Sequence, residues 1–213
     1  MMPVEPFPNL TPDAVLAAAQ ELDLSFQGVE SYLMSYDAFI RYFQRGPQQL
    51  LTADDLIIGI HFAYGWMPTI FEFQHTSLAP SVAVINAVRA GALLDVRELG
   101  ILKALLNNSI VGSSKLLHFI APYNYAIWDS RVYRFVTGRA KVDHARVNQV
   151  SLYALYLERS RGLITNKLFL ENVHRPLCRQ LNGELSPLRA LELVLYLGGP
   201  NQKITAHGTD STF

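Results

Sequence analysis

The 213-residue sequence contains a single cysteine, Cys178. One cysteine excludes an internal disulfide framework and a zinc site built from cysteine ligands. The six histidines are scattered and no two are spaced H-x₃-H, so we expect neither a metal nor a cofactor. The sequence also lacks the G-x-S-x-G, P-loop and G-x-G-x-x-G patterns. The sequence therefore does not support an α/β-hydrolase, a nucleoside triphosphatase or a dinucleotide-binding protein.

Long apolar runs are absent as well. The longest candidate, residues 56–63, is interrupted by His61 and is too short to span a bilayer. The opening MMPVEPFPNL is proline-rich and acidic, so we identify no signal peptide and expect a cytoplasmic protein without a membrane partner. Apolar residues make up 50% of the chain and charged residues 17%, which favours a packed core over disorder.

The net charge is zero, but the charges are unevenly distributed. Residues 1–60 hold eight acids against two arginines, a net charge of −6. Residues 103–146 hold seven lysines and arginines against two aspartates, a net charge of +5. A localised basic stretch is typical of a phosphate-facing surface, and ordinary scatter of surface charge is the alternative.

Helix signals occur along the whole chain. Thr11-Pro12 predicts one helix start, Thr52 with Asp55 a capping box, and Ser186-Pro187 another start. Periodicity and punctuation predict helices over about 11–22, 31–44, 52–64, 81–94, 95–106, 113–120, 129–137, 143–159, 165–181 and 186–197. The β-like stretches 71–73 and 125–128 are too short for a sheet. We therefore predict an all-α fold of about ten helices, with one domain over residues 1–200 and a flexible tail over 201–213.

The most informative segment is residues 110–136, IVGSSKLLHFIAPYNYAIWDSRVYRFV. We predict a helix over 99–107, a tight turn over 109–113 that contains Gly112, and a second helix from Ser114. Turn amides and a helix N-terminus together can bind a phosphate. Lys115 lies in the first turn of that second helix, where a cation opposes the helix dipole. Lys115 therefore either has a function outside its own helix or is an ordinary exposed lysine.

Asp129 is predicted to begin the next helix. As an N-cap residue it would accept amide hydrogen bonds that keep it ionised, and capping alone is a sufficient explanation for an aspartate at this place. Arg131 and Arg134 fall on one side of the helix, opposite an apolar stripe. Phosphate contact and pairing with intramolecular carboxylates are both open for these two arginines.

The order of these features resembles the helix-hairpin-helix DNA glycosylases, the group that contains endonuclease III and the 8-oxoguanine glycosylases. In that group G-x-G-x-K leads into a helix, and a later V-D-T-H-V-x-R opens another helix with the essential aspartate. This chain has Gly112-Ser113-Ser114-Lys115 and then Asp129-Ser130-Arg131-Val132-Tyr133-Arg134. Bacterial proteins loosely grouped with the 8-oxoguanine glycosylases, with S-K-x-L-H-F and a later D-S-R-V, are more similar still. The hairpin here has one glycine where the family has two, and fourteen residues separate the lysine from the aspartate.

The resemblance implies two helical lobes around a central hairpin, and a monomer that acts on double-stranded DNA carrying a damaged or modified base. Asp129 would stabilise the positive charge that develops on the deoxyribose, and Lys115 would attack C1′ and add lyase activity. The resemblance also implies DNA contacts at Gly112, Ser113, Ser114, Arg131 and Arg134, and a base pocket near Trp128, His118 and Tyr125.

Two other functions are consistent with the sequence. A non-catalytic DNA-binding module would keep the hairpin without the chemistry, and would bind in a salt-sensitive way. A helical protein-interaction domain would instead expose a large apolar patch. The sequence does not distinguish among an oxidised, an alkylated and an otherwise modified base, nor between repair and defence against foreign DNA.

Overall fold

The structure is a computed structural model that describes residues 6–22, 24, 29–46, 49–67, 69–72 and 77–198. The predicted all-α fold is confirmed, because the described residues form helices and contain no strand. The predicted flexible tail, 201–213, lies outside the described residues. No described helix is long and apolar enough to cross a membrane.

The helices follow the predicted order, with two of the predicted helices divided. They are α1 (Pro12–Gln20), α2 (Val29–Gln44), α3 (Ala53–Gly65), α4 (Ala79–Arg89), α5 (Val96–Leu105), α6 (Ile110–Ile120), α7 (Ser130–Thr137), α8 (His144–Val147), α9 (Val150–Ile164), α10 (Lys167–Phe169), α11 (Arg175–Gln180) and α12 (Pro187–Leu197). The predicted helix over 143–159 is split into α8 and α9 by an extended Gln149. A π-helical turn, Leu170–His174, joins α10 to α11.

Capping residues fix most of the helix starts. The predicted capping box is confirmed at the start of α3, where the Thr52 hydroxyl accepts from the Asp55 amide and the Asp55 carboxylate accepts from the Thr52 amide. Thr11 and Ser186 cap α1 and α12, each ahead of a proline at the first helical position. Each such cap satisfies amides that a helix start leaves without partners.

The main helix contacts form two sets. The first contains α2 to α6, and the second contains α1 with α7 to α12. Helix α6 lies at the centre of the first set, and all its residues except Val111 are buried. A side chain at Gly59 of α3 would come within 2.7 Å of both Phe43 and Leu116, so the missing Cβ allows α3 to approach α6 closely. The two sets meet where α5 packs against α9 and where side chains of α6 reach the segment before α7.

Candidate functional site

The turn between α5 and α6 differs from the prediction. It runs through Asn107 and Asn108, which have φ values of 50° and 55°, and Ser109 then caps α6. The predicted turn over 109–113 is therefore wrong, because the helix begins at Ile110. Asparagine tolerates the left-handed conformation better than most residues, so this turn does not need a glycine. The pair Asn107-Asn108 followed by Ser109 is the sequence signal that locates it.

Gly112, Ser113 and Ser114 are buried in the first turns of α6, with Ser113 and Ser114 fully inaccessible. The Gly112 amide donates to the Ser109 hydroxyl at 3.1 Å, and the Ser113 amide donates to the Ser109 carbonyl at 3.2 Å. The predicted DNA contacts at these three residues are contradicted, because all three are buried and Ser109 already accepts from the Gly112 and Ser113 amides. A Cβ at Gly112 would come within 3.3 Å of Leu106 and Tyr64, so its role is close packing.

Ser114 joins α6 to the segment that precedes α7. Its Oγ accepts a hydrogen bond from the Trp128 amide at 3.0 Å and lies 3.1 Å from the Trp128 carbonyl oxygen. Lys115 follows Ser114, and Asp129 follows Trp128. This hydrogen-bonded pair, which we call the Ser114–Trp128 tie, therefore places the lysine and the aspartate on adjoining backbone segments.

Lys115 is buried, with 6% of its surface exposed. Its Nζ donates to the carbonyl oxygen of Trp66 at 2.9 Å, and Trp66 is the residue that caps the C-terminus of α3. Burial lowers the pKa of Lys115, and attraction from Asp129 and Glu192 opposes that shift. A neutral lysine amine can donate one N–H to the Trp66 carbonyl and keep its lone pair, which is the state that a nucleophile requires.

Asp129 is the N-cap residue of α7, as predicted. Its Oδ1 accepts from the amides of Arg131 and Val132, both at 2.9 Å. Its Oδ2 accepts no hydrogen bond from any described residue, and the side chain is partly exposed. The carboxylate thus keeps one oxygen available while the other is fixed by the helix.

His118 is a fully buried residue whose two ring nitrogens both have partners. Nδ1 lies 2.6 Å from the Tyr125 carbonyl oxygen, which can only accept, so Nδ1 carries the proton. Nε2 lies 2.9 Å from the Tyr36 hydroxyl and accepts a hydrogen bond from it. Burial, with repulsion from Arg189, lowers the pKa of His118 to about 3. His118 is therefore a neutral core histidine, and its predicted place in a base pocket is contradicted.

Trp128 and Tyr125 are also fully buried. The Trp128 indole donates to the Val147 carbonyl at 2.9 Å, and its ring packs against Phe7 and Tyr156. The Tyr125 hydroxyl donates to the Ala92 carbonyl and accepts from the Leu94 amide. Because neither ring has an accessible face, the predicted contact of these two residues with a base is also contradicted.

An ion pair in α12 was not predicted. Arg189 and Glu192 are fully buried and hydrogen-bonded to each other. The Arg189 guanidinium lies 4.1 Å from the centre of the Tyr36 ring, which stacks in turn on Trp66. The available signal was a pair of opposite charges, three residues apart, in a helix that is otherwise almost entirely apolar. Charges in such a helix have no polar face to occupy and are buried with it.

Arg131 and Arg134 lie on the exposed side of α7, opposite the buried residues Val132, Tyr133 and Val136. The Arg131 guanidinium lies 4.6 Å from the centre of the Tyr196 ring. Neither arginine forms a salt bridge within the described part of the chain. The alternative in which both arginines pair with intramolecular carboxylates is therefore not observed.

A cleft of about 450 Å³ lies elsewhere, between the C-terminal end of α2, the start of α3 and Arg89 of α4. None of the predicted site residues lines it. Its arginines are engaged within the protein, since Arg89 donates to the Arg45 and Gly46 carbonyls and Arg45 pairs with Asp55. Among the described residues, no group of three or more histidine, cysteine, aspartate or glutamate side chains is arranged to hold a metal ion.

Comparison of the chain with family models, with curated proteins and with solved structures finds no match. The functional argument therefore rests on the residues of the chain and their geometry.

Proposed function

We propose that the protein is a DNA glycosylase that excises a damaged or modified base by cleaving its N-glycosidic bond, with Asp129 and Lys115 as the catalytic residues. The observation that carries the proposal is the Ser114–Trp128 tie, because it holds a buried amine and a partly exposed carboxylate on adjoining segments. A second support is the lowered pKa of Lys115, which increases the fraction of neutral amine.

In the proposed reaction the bond between C1′ and the base breaks, and the base leaves with the bonding electron pair. Positive charge then develops on the deoxyribose, and the Asp129 carboxylate stabilises it. The Lys115 amine attacks C1′ and forms a new carbon–nitrogen bond. The proton that this nitrogen loses passes to the departed base. The C1′–O4′ bond then breaks with its electron pair going to O4′, which takes up a proton from water, and the opened sugar is a protonated Schiff base. Loss of a C2′ proton to water and departure of the 3′ phosphate with its bonding pair then cut the strand.

Lys115 and the substrate must both reach a reactive position. Lys115 has to exchange its hydrogen bond to the Trp66 carbonyl for contact with the sugar, so we expect a displacement at the C-terminal end of α3 when DNA binds. The nucleotide has to leave the duplex stack. Arg131 and Arg134 can then hold its flanking phosphates, because neither forms a salt bridge with a described residue.

The test is a single-turnover excision assay on duplex oligonucleotides that carry oxidised, alkylated or hydroxymethylated bases. With the base that is recognised, we expect Asp129→Asn to lower the excision rate by about 100-fold or more, since removal of a single electrostatic stabiliser typically has that effect. Borohydride reduction should trap a covalent complex with the wild type and with Asp143→Asn, and should trap none with Lys115→Gln.

Asp143→Asn and Lys103→Gln are matched controls. Asp143 is likewise an N-cap aspartate, with its Oδ1 3.1 Å from the Arg146 amide, and Lys103 lies in the last turn of α5. Both controls should retain wild-type rates. Equal rates for the wild type and Asp129→Asn on every substrate would overturn the proposal. Salt-sensitive binding of all substrates with no excision of any would also overturn it, in favour of a DNA-binding module.

A further inference from the structure

We propose that the protein holds the sugar–phosphate backbone of duplex DNA on a surface formed by α7, α8 and the loop between them, and not on the α5–α6 turn. This inference rests on the proposed function and changes where the DNA is held. The α7–α8 basic surface consists of Arg131, Arg134, Arg139, Lys141 and the half-buried Arg146, whose Nε is inside the protein.

The charge of this surface is not neutralised within the described structure. Residues 130–147 contain five arginines and lysines and one acid, Asp143. Asp143 accepts a hydrogen bond from the Arg146 amide as the N-cap of α8. None of the five cations forms a salt bridge with a described residue, whereas Arg175 and Lys167 of the α10–α11 segment both pair with Glu171. Unpaired cations concentrated on one segment are the electrostatic pattern of phosphate binding.

Hydrogen bonds place this surface beside the candidate site. The Ile110 amide, at the start of α6, donates to Asn148 Oδ1 at 3.0 Å, and the Trp128 indole donates to the Val147 carbonyl at 2.9 Å. The end of α8 is therefore fixed both to the helix that carries Lys115 and to the residue that precedes Asp129. Lys115 is five residues from Ile110 along α6, a rise of about 7.5 Å.

The fold leaves Arg139 and Lys141 exposed and the other three cations half-buried. Helix α7 buries its apolar side against α12 and ends at Gly138, which has a φ of 66°. This left-handed residue reverses the chain, so that Arg139 and Lys141 lie exposed in the loop that leads to α8. Arg131 and Arg134, three residues apart, share one side of α7.

The burial of Gly112, Ser113 and Ser114 removes the hairpin residues that would otherwise contact phosphate. Side-chain cations then have to supply most of the attraction to DNA. Cations that neutralise phosphates release condensed counterions, so binding should weaken steeply as salt rises.

The experiment measures affinity for an undamaged 20-base-pair fluorescent duplex over a series of salt concentrations, so that it does not depend on excision. The test variant is Arg134→Gln/Arg139→Gln/Lys141→Gln. The matched control is Lys167→Gln/Arg175→Gln/Arg179→Gln, which removes the same charge from exposed positions of the α10–α11 segment. We expect the test variant to bind at least tenfold more weakly, and to reduce the slope of log K against log salt by about 2 to 3 because about 0.9 is lost per phosphate contact.

The control should stay within about twofold of the wild type, with an unchanged slope. If the test variant loses helical content, the double variant Arg139→Gln/Lys141→Gln is used in its place, because it changes only two exposed side chains. The expected change in its slope is about 2. If these variants have the slope of the wild type, the proposed DNA-binding surface is wrong, and the glycosylase proposal is unaffected. If polyglutamate competes as well as unlabelled duplex does, the surface binds an acidic protein partner and the DNA-binding proposal is wrong. If duplex DNA binds tightly but no base is excised, the glycosylase proposal is wrong and the DNA-binding surface is retained.

Discussion

Lys115 and His118 lie one turn apart on α6, and burial lowers the pKa of both side chains. Their surroundings make the consequences different. Both nitrogens of His118 are hydrogen-bonded within the core, so the ring has neither a free lone pair nor a route to solvent. Lys115 Nζ donates to one carbonyl and lies on the segment adjoining a partly exposed carboxylate. Of the two, only the lysine has a side-chain nitrogen with a single hydrogen-bond partner, and its lowered pKa favours the neutral form that chemistry would need.

The buried, neutral His118 should make the free energy of unfolding depend on pH. Its pKa is about 3 in the folded protein and about 6.5 in an unfolded chain, so the unfolded chain binds the proton first as the pH falls. The resulting stability is complete above pH 6.5 and is lost progressively as the pH falls towards 3. We expect the wild type to lose about 2 kcal/mol more than His118→Gln between pH 7 and pH 5, measured by urea denaturation.

His144→Gln is the control for this measurement, because His144 is exposed on α8. It should retain the pH dependence of the wild type. If His118→Gln and the wild type lose the same free energy of unfolding between the two pH values, His118 is not held neutral in the folded protein.

At the scale of elements, one hydroxyl group bonds α6 directly to the residue that precedes the N-cap of α7. Ser113 and Ser114 are adjacent, equally buried and both hydrogen-bonded, but they bond to different parts of the chain. Ser113 Oγ donates to the Ser109 carbonyl one turn earlier in the same helix. Ser114 Oγ likewise lies 2.8 Å from the Val111 carbonyl of its own helix, but it also accepts from the Trp128 amide. Of the two serines, only Ser114 therefore bonds to the segment that carries the aspartate.

Ser114→Ala should destabilise the protein by about 1–3 kcal/mol, because it leaves the buried Trp128 amide without its acceptor. Ser113→Ala should cost less than about 1 kcal/mol, since the Ser109 carbonyl still accepts from the Ser113 amide. Urea denaturation measures both. In an amide NMR spectrum, the Trp128 resonance should move in Ser114→Ala and stay in place in Ser113→Ala. Equal costs for the two variants would show that the bridge contributes nothing.

At the scale of the whole molecule, a cluster of buried polar side chains connects the two sets of helices. Tyr36 of α2 bonds to His118 of α6, and Arg189 of α12 covers the Tyr36 ring. Hydrogen bonds from His118 and Ser114 reach the segment that leads into α7. These contacts, together with the packing of α5 on α9, join the second set to the first.

We therefore predict a single cooperative unfolding transition for residues 1–200. The two tryptophans allow a test, since Trp66 caps α3 in the first set and Trp128 packs in the second. In both Trp66→Phe and Trp128→Phe, the denaturation midpoint from the remaining tryptophan's fluorescence should coincide with the midpoint from circular dichroism. Separate midpoints within either variant would mean that the two sets unfold as separate lobes.

The sequence by itself determined the helices. Caps at Thr52, Asp129 and Ser186 act within four residues of the chain, and so do the apolar periodicities, which is why the helices and most of their starts were predicted correctly. The predicted helix boundaries were wrong where a local sequence signal was misinterpreted. The turn before α6 was assigned to Gly112, although the left-handed pair Asn107-Asn108 forms it.

The tertiary structure decided which of the candidate residues are buried and which are accessible. The Ser114–Trp128 tie and the bond from Lys115 to Trp66 join residues that are 14 and 49 positions apart. The burial of Trp128 depends on Phe7, which is 121 positions away. Local periodicity carries no information about such distances. The sequence therefore indicated a lysine and an aspartate as candidate residues. Only the packing of α6 placed them on adjoining segments, buried the lysine and left the aspartate partly exposed.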